Sequence, residues 1–305
     1  MRGIDITNLD DETEQQYISF LLKPITPEIM REDLNNFLTQ ELSPKSMTGV
    51  KFLYYFFFRE MLSVKGRYGS YFDICRDWEN HMSKQYISNF VKTVLTKNES
   101  NPSFTIYHLI HEVARLYLNQ SIHIMKPAFI LSILEQFNPT KVLDPCSGWG
   151  SRMLACMKYG CGYIGFDTNE RLKLCYDEML TECNMSMDVT FRIQDCLEGM
   201  DDFRGEYDMV FTSPPYYNLE LYNGMPERTK EEWHRWYVTV FRKAFDGLSI
   251  NGVMCINVCK EIYDNCLRIE FGESDYVFEY PKTSRNQTNK SEYLYVWVRD
   301  ENSNG

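Results

Sequence analysis

The chain has 305 residues, 44% of them hydrophobic and 15% aromatic, with a formal net charge of −11. That length holds one α/β domain plus a further module, and no apolar stretch approaches the ~20 residues that cross a bilayer. The longest aromatic run, Phe52 to Phe58, is closed at once by Arg59 and Glu60, and the start Met-Arg-Gly-Ile-Asp lacks an apolar signal core. The expectation is a soluble, cytoplasmic protein with no membrane partner.

All ten cysteines lie at or after position 75, and none form a Cys-x-x-Cys pair. Scattered thiols of this kind suit a reducing compartment and small buried packing roles, so no metal is expected. His108 and His111 can share a helix face, but Ile106, Leu109, Ile110 and Val113 around them point to a packed helix. The acidic balance opposes a polyanionic partner, yet it is uneven. Residues 126–305 carry 28 acidic and 19 basic residues, whereas residues 45–97 carry four acidic and nine basic ones. That basic stretch also holds Tyr54, Tyr55, Tyr68, Tyr71, Phe72, Trp78 and Tyr86, a mixture suited to phosphate contact and base stacking. A helical module with a solvated basic face reads the same way.

Along the chain, residues 27 to 119 carry helical patterns. Ile29, Leu34, Phe37 and Leu38 recur at helix spacing after Thr26-Pro27-Glu28, and similar patterns run near 47–63, 77–96 and 104–118. From about 126 onward strands alternate with helices. Short β-type runs occur at 141–144, 163–167, 189–193, 208–212 and 252–258, and the runs 276–280 and 293–298 are too close for a crossover helix. Five parallel strands closed by an antiparallel hairpin are predicted, a class I methyltransferase (Rossmann-like) α/β sheet, with an all-helical N-terminal module. The domain bounds predicted are 1–122 for the helical module, for nucleic-acid or partner recognition, and 123–300 for the α/β domain.

Three motifs carry chemistry. The first is Val142-Leu143-Asp144-Pro145-Cys146-Ser147-Gly148-Trp149-Gly150, with a helix from Ser151. Its glycines let the backbone approach a ligand, and the helix start offers N–H groups to an anion. Asp144 suits an ammonium group. S-adenosylmethionine carries both charges in its methionine tail, and Ser151-Arg152 does not complete a phosphate-binding loop. A tight turn of any α/β protein is the plainer reading. Next, Asp167 ends the second strand about 20 residues on, where ribose hydroxyls bind. Asp195 follows the third strand and can reach an adenine amino group, with Phe166 against the ring, although either acid could simply cap a helix.

The third motif, Phe211-Thr212-Ser213-Pro214-Pro215-Tyr216-Tyr217-Asn218, follows the fourth strand. Pro214 and Pro215 remove two donors, so the loop presents carbonyls and the Ser213 hydroxyl as acceptors. A base amine is a poor nucleophile because its lone pair is delocalised. Ser213 and the Pro214 carbonyl accepting its two N–H bonds would favour a pyramidal nitrogen, with Tyr216 stacked on a flipped-out base.

On these residues the chain resembles the amino methyltransferases of DNA, the adenine-N6 and cytosine-N4 family, over about 123–298. The resemblance implies S-adenosylmethionine as cofactor and Ser213, Pro214, Pro215 and Tyr216 as catalytic. It also implies cofactor contacts from Lys126, Asp144, Pro145, Cys146, Gly148, Gly150, Phe166, Asp167 and Asp195. The Thr-Ser-Pro-Pro-Tyr form favours cytosine N4 over adenine N6. Trp149 stands where the family has small residues and can wall the pocket. No large recognition domain follows the catalytic motif, which leaves target choice to residues 218–230, to Lys282, Arg285 and Lys290, to the N-terminal module, or to another subunit in a homodimer or partnered complex.

Four other readings are weighed. A protein glutamine methyltransferase shares the Pro-Pro-Tyr loop, but its loop usually opens with Asn and its cofactor motif usually lacks Pro145. An RNA base can undergo the same chemistry. An inactive methyltransferase-like binding subunit would usually show a damaged loop, and both loops are intact. Cytosine-C5 chemistry needs a Pro-Cys nucleophile in the catalytic loop, whereas Pro145-Cys146 lies in the first motif.

Overall fold

The structure is a computed structural model that describes residues 25–65, 70, 72–73, 80, 83–101, 109, 112, 124–184, 187–219, 222, 225–281 and 292–301. Several expectations fall outside this set: Tyr68, Tyr71, Trp78 and the Tyr86 side chain, His108 and His111, most of the helix expected at 104–118, and Lys282, Arg285 and Lys290. By contacts the chain divides into two units. One comprises 1–26, 58–123 and 219–223, and the other comprises 27–57, 124–218 and 224–305.

In the larger unit, α1 (Pro27–Thr39) starts on a proline at its first turn, where the missing N–H costs nothing. Its buried stripe is Met30, Leu34 and Phe37, one position displaced from the expected Ile29 and Leu38. Sequence order grouped this helix with the N-terminal module, but its contacts lie with the sheet unit. Lys158 donates to the carbonyls of Phe37 and Gln40 at 2.6 and 2.5 Å, a cation on the helix's C-terminal end, and Arg31 pairs with Glu182 at 2.6 Å. Helix α2 (Val50–Ser63) follows. In the smaller unit, α3 (Gln85–Lys97) buries Ile87, Val91 and Val94 at helix spacing, with Lys92 and Lys97 exposed.

Next come α4 (Pro127–Phe137), β1 (Lys141–Asp144), α5 (Ser151–Tyr159), β2 (Gly162–Asp167), α6 (Leu172–Cys183), β3 (Val189–Ile193), α7 (Cys196–Gly199) and β4 (Met209–Thr212). The order closes with α8 (Lys230–Gly247), β5 (Val253–Cys259), β6 (Tyr276–Glu279) and β7 (Glu292–Val298). They build one seven-stranded sheet in the order β3-β2-β1-β4-β5-β7-β6. The first five strands are parallel, with Leu143 opposite Ile164 and Val210, and Met209 opposite Val253. Strand β7 runs antiparallel between β5 and β6, pairing Asn257 with Leu294 and Val277 with Tyr295. This is the class I methyltransferase fold. Val142-Leu143, Met209–Phe211 and Val253–Ile256 are apolar runs because these central strands are buried on both faces.

The order reverses at β1, with β2 on one side and β4 on the other. In open parallel sheets a ligand crevice opens there, beyond the carboxyl ends of the strands. The loops after β1, β2 and β4 meet at that edge. No helix among the described residues is long and apolar enough to cross a membrane.

Candidate active site

Strand β1 ends in Asp144, which is completely buried. Its Oδ2 accepts from Arg152 Nε at 2.5 Å and the Tyr163 hydroxyl at 2.8 Å. Its Oδ1 accepts from the Thr212 hydroxyl at 2.9 Å and the Cys146 N–H at 3.3 Å. The direct ammonium contact expected of Asp144 is therefore corrected: both oxygens are engaged and no surface is exposed. Arg152, in the first turn of α5, is 4% exposed, and its guanidinium also donates to the Cys146 and Ser147 carbonyls. Burial alone would pull its pKa down, but the Asp144 carboxylate outweighs this and holds it above the ordinary value. A cation here opposes the positive helix end, so the pair and the loop carbonyls together make the position tolerable.

The loop turns through Gly148 and Gly150, at φ 55° and 74°. A Cβ on Gly150 would come within 2.9 Å of the Phe57 ring, and one on Gly165 in β2 within 2.4 Å of Ser147 Oγ. Both glycines let backbone and side chains close in under the loop. The start of α5 carries no side-chain cap, its N-cap being Gly150. Trp149 is largely buried. Pro145 and Cys146 belong to the turn itself, and burial pushes the Cys146 thiol well up, which keeps it neutral.

Asp167 ends β2 and accepts from the Gly148 N–H at 2.9 Å and the Asn169 N–H at 3.0 Å. Burial pushes its pKa up to about 6 against the pull of those donors. Asp195 caps α7 through the Leu197 N–H at 2.9 Å, the plainer role foreseen for it. Phe166 is corrected. Its ring is fully buried and meets Phe203 edge-to-face at 6.0 Å, so it has no free face for an adenine; its carbonyl instead receives the Ser147 N–H at 2.9 Å. Lys126 is corrected as well. It is 3% exposed, its ammonium donates to the Pro281 carbonyl, and its N–H donates to the Tyr280 hydroxyl at 2.9 Å, so its head is spent at the end of β6.

After β4 the loop is pinned at successive residues. The Ser213 hydroxyl donates to Asn257 Oδ1 at 3.2 Å, and the Tyr216 hydroxyl lies 3.3 Å from the same atom and from the Asn257 carbonyl. The Tyr237 hydroxyl donates to the Pro215 carbonyl at 2.6 Å and receives the Tyr217 N–H at 3.0 Å. That clamp holds Tyr217 at φ 53°, a left-handed conformation that costs a bulky residue about 1–2 kcal/mol. Among the described residues no hydrogen bond reaches the Pro214 carbonyl. Asn218 accepts from the Arg228 N–H and the Trp233 indole and donates to the Arg228 carbonyl, fastening residue 218 to residue 228.

Four residues were missed by sequence reasoning: Arg152, Thr212, Tyr237 and Asn257. Asn257 left a signal, because an amide inside the apolar run of β5 must find partners when buried.

No family model matches the sequence, and no curated protein matches it. Among solved structures, TrmN from Thermus thermophilus is similar at 17% identity and TM-score 0.43, over 62% of this chain and 53% of TrmN, so this chain spans about half of TrmN's length. An rRNA methylase from Streptococcus thermophilus is similar at 16% identity and TM-score 0.41, over 59% of this chain and all of that one. The T. thermophilus 16S rRNA N2 G1207 methyltransferase RsmC, solved with AdoMet and guanosine, is similar at 16% identity and TM-score 0.42, over 59% and 44%. Likeness at this level says nothing of substrate.

Two outcomes follow from this geometry. Asp144→Ala leaves Arg152 buried without its counter-ion and lowers folding stability by about 3–5 kcal/mol; a denaturant midpoint equal to wild type would contradict the pair's role. Asp167, with a folded pKa of about 6 against 3.8 for the free group, contributes stability below pH 3.8 that is lost as pH rises through 6. If Asp167 takes the ribose hydroxyls of S-adenosylmethionine, as the sequence expectation has it, they donate to its ionised form and affinity should fall about tenfold per pH unit below 6. Calorimetry between pH 8 and 5 reads this, and Asp167→Asn should flatten the profile.

Proposed function

We propose that this chain transfers the methyl group of S-adenosylmethionine to an exocyclic amino nitrogen of a DNA base, cytosine N4 ahead of adenine N6. The observation that carries the reading is the Ser213–Tyr216 loop at the carboxyl end of β4, presenting acceptors beside the glycine turn after β1. The Thr212–Asp144 hydrogen bond of 2.9 Å joins the two strand ends.

The residues present fit the cofactor. The uncapped start of α5 suits its carboxylate, Asp167 its ribose hydroxyls, and the turn through Gly148 and Gly150 admits it closely. Asp195, at the start of α7, is the residue for the adenine amino group. When bound, the cofactor supplies an electrophilic methyl group.

The chain's own part is placement. Ser213 Oγ and the Pro214 carbonyl each accept one N–H of the base amine, which turns its lone pair out of the ring's conjugation. Pro215 keeps the turn rigid, and Tyr216, anchored through its hydroxyl, offers its ring to the base. A neutral Cys146 outside this loop is no covalent nucleophile. The DNA preference rests on the motif's resemblance and on the basic, aromatic composition of residues 45–97. The helical N-terminal module is assigned to nucleic-acid or partner recognition.

The test is incubation of the protein with labelled S-adenosylmethionine and separate pools of duplex DNA, single-stranded DNA and RNA, followed by digestion to nucleosides and mass spectrometry. N4-methylcytosine or N6-methyladenine in DNA is the expected product. Label confined to RNA would move the substrate class, and label in protein alone would overturn the reading.

A further inference from the structure

Serine hydroxyls rotate and can donate or accept, so a loop that depends on Ser213 as an acceptor needs something to set its direction. We propose that Asn257, on β5, is the positioning residue that does so; this rests on the functional reading above and deepens it. Asn257 is 2% exposed, and its amide is oriented from the far side: Nδ2 donates to the Tyr293 carbonyl of β7 at 3.1 Å. That carbonyl accepts only, so the amide nitrogen must face it and Oδ1 must face the catalytic loop.

Oδ1 in turn accepts only. The Ser213 hydroxyl, 3.2 Å away, therefore points its hydrogen at Asn257 and leaves its lone pairs for the base amine. The Tyr216 hydroxyl, 3.3 Å from Oδ1 and from the Asn257 carbonyl, is tied to the same post. One amide thus fixes the polarity of the acceptor and the place of the stacking ring. The pairing of β5 with β7 carries that orientation across the sheet, because Asn257 lies opposite Leu294, next to Tyr293.

The experiment measures kcat, nucleic-acid KM, cofactor affinity and unfolding midpoint for wild type, Asn257→Leu, Asn257→Asp, Ser213→Ala and the double variant S213A/N257L. Asn257→Leu removes the acceptor at similar size and should lower kcat about 10- to 100-fold, with cofactor affinity and KM within about twofold. Asn257→Asp keeps an acceptor toward Ser213 but gives up the donor to the Tyr293 carbonyl, so its kcat should fall between those of Asn257→Leu and wild type. In the S213A background, adding N257L should cost clearly less than in wild type, no more than a few-fold, because the direction of an absent hydroxyl no longer matters and Tyr216 keeps the Asn257 backbone carbonyl as an anchor. Should N257L fail to fold, Asn257→Ser, polar but too short to reach the loop, takes its place. Wild-type turnover in N257L, or an equal fold-loss with and without Ser213, would overturn the proposal while leaving the functional reading intact. A wild type that methylates no nucleic acid would overturn both.

Discussion

The structure turns on one buried carboxylate. Asp144 binds Arg152 of α5, Tyr163 of β2 and Thr212 of β4, so a single side chain joins three neighbouring strands and the helix that follows the glycine turn. A buried ion pair adds little net stability over apolar packing of the same volume. What it fixes here is geometry. Arg152 reaches from Asp144 to the Cys146 and Ser147 carbonyls, so the loop backbone is shaped by a guanidinium held beneath it. Thr212 brings the end of β4, and the loop that leaves it, into register with the end of β1.

The second loop is held by neutral hydrogen bonds rather than charge. Asn257 takes Ser213 and Tyr216, Tyr237 spans Pro215 and Tyr217, and Asn218 closes on Arg228 and Trp233. Such a loop resists collapse and keeps its acceptors aimed, as a site that works by placement requires. Under the proposed function the two loops divide the work: the turn after β1 with Asp167 takes the cofactor, and the loop after β4 takes the acceptor amine.

Much of this was legible in the sequence. Runs of β-branched, aromatic and other apolar residues located the strands to within a residue or two, and the short gap before Tyr293 implied the antiparallel end of the sheet. The acids at 144, 167 and 195 and the Ser-Pro-Pro-Tyr loop were legible as residues at strand ends, and the fold sets them at the carboxyl ends of β1, β2, β3 and β4. The failures share a cause: sequence gives position along the chain but not what a side chain faces. Phe166 is adjacent to Asp167, yet in a strand neighbouring side chains point to opposite faces, and its face is core. Asp144 read as a ligand group because its partners Arg152, Tyr163 and Thr212 lie at distances that only the fold closes. Residues 27–57 were grouped with the N-terminal module by order, although Lys158 and Glu182 bind α1 to the sheet unit.

The measurement that bears most directly on this division is calorimetric titration of S-adenosylmethionine into wild type, Asp167→Ala and Tyr216→Ala, paired with turnover on the proposed nucleic-acid acceptor. The account predicts that Asp167→Ala loses cofactor affinity, while Tyr216→Ala binds cofactor as wild type does and loses turnover. Loss of cofactor in Tyr216→Ala with binding intact in Asp167→Ala would contradict it.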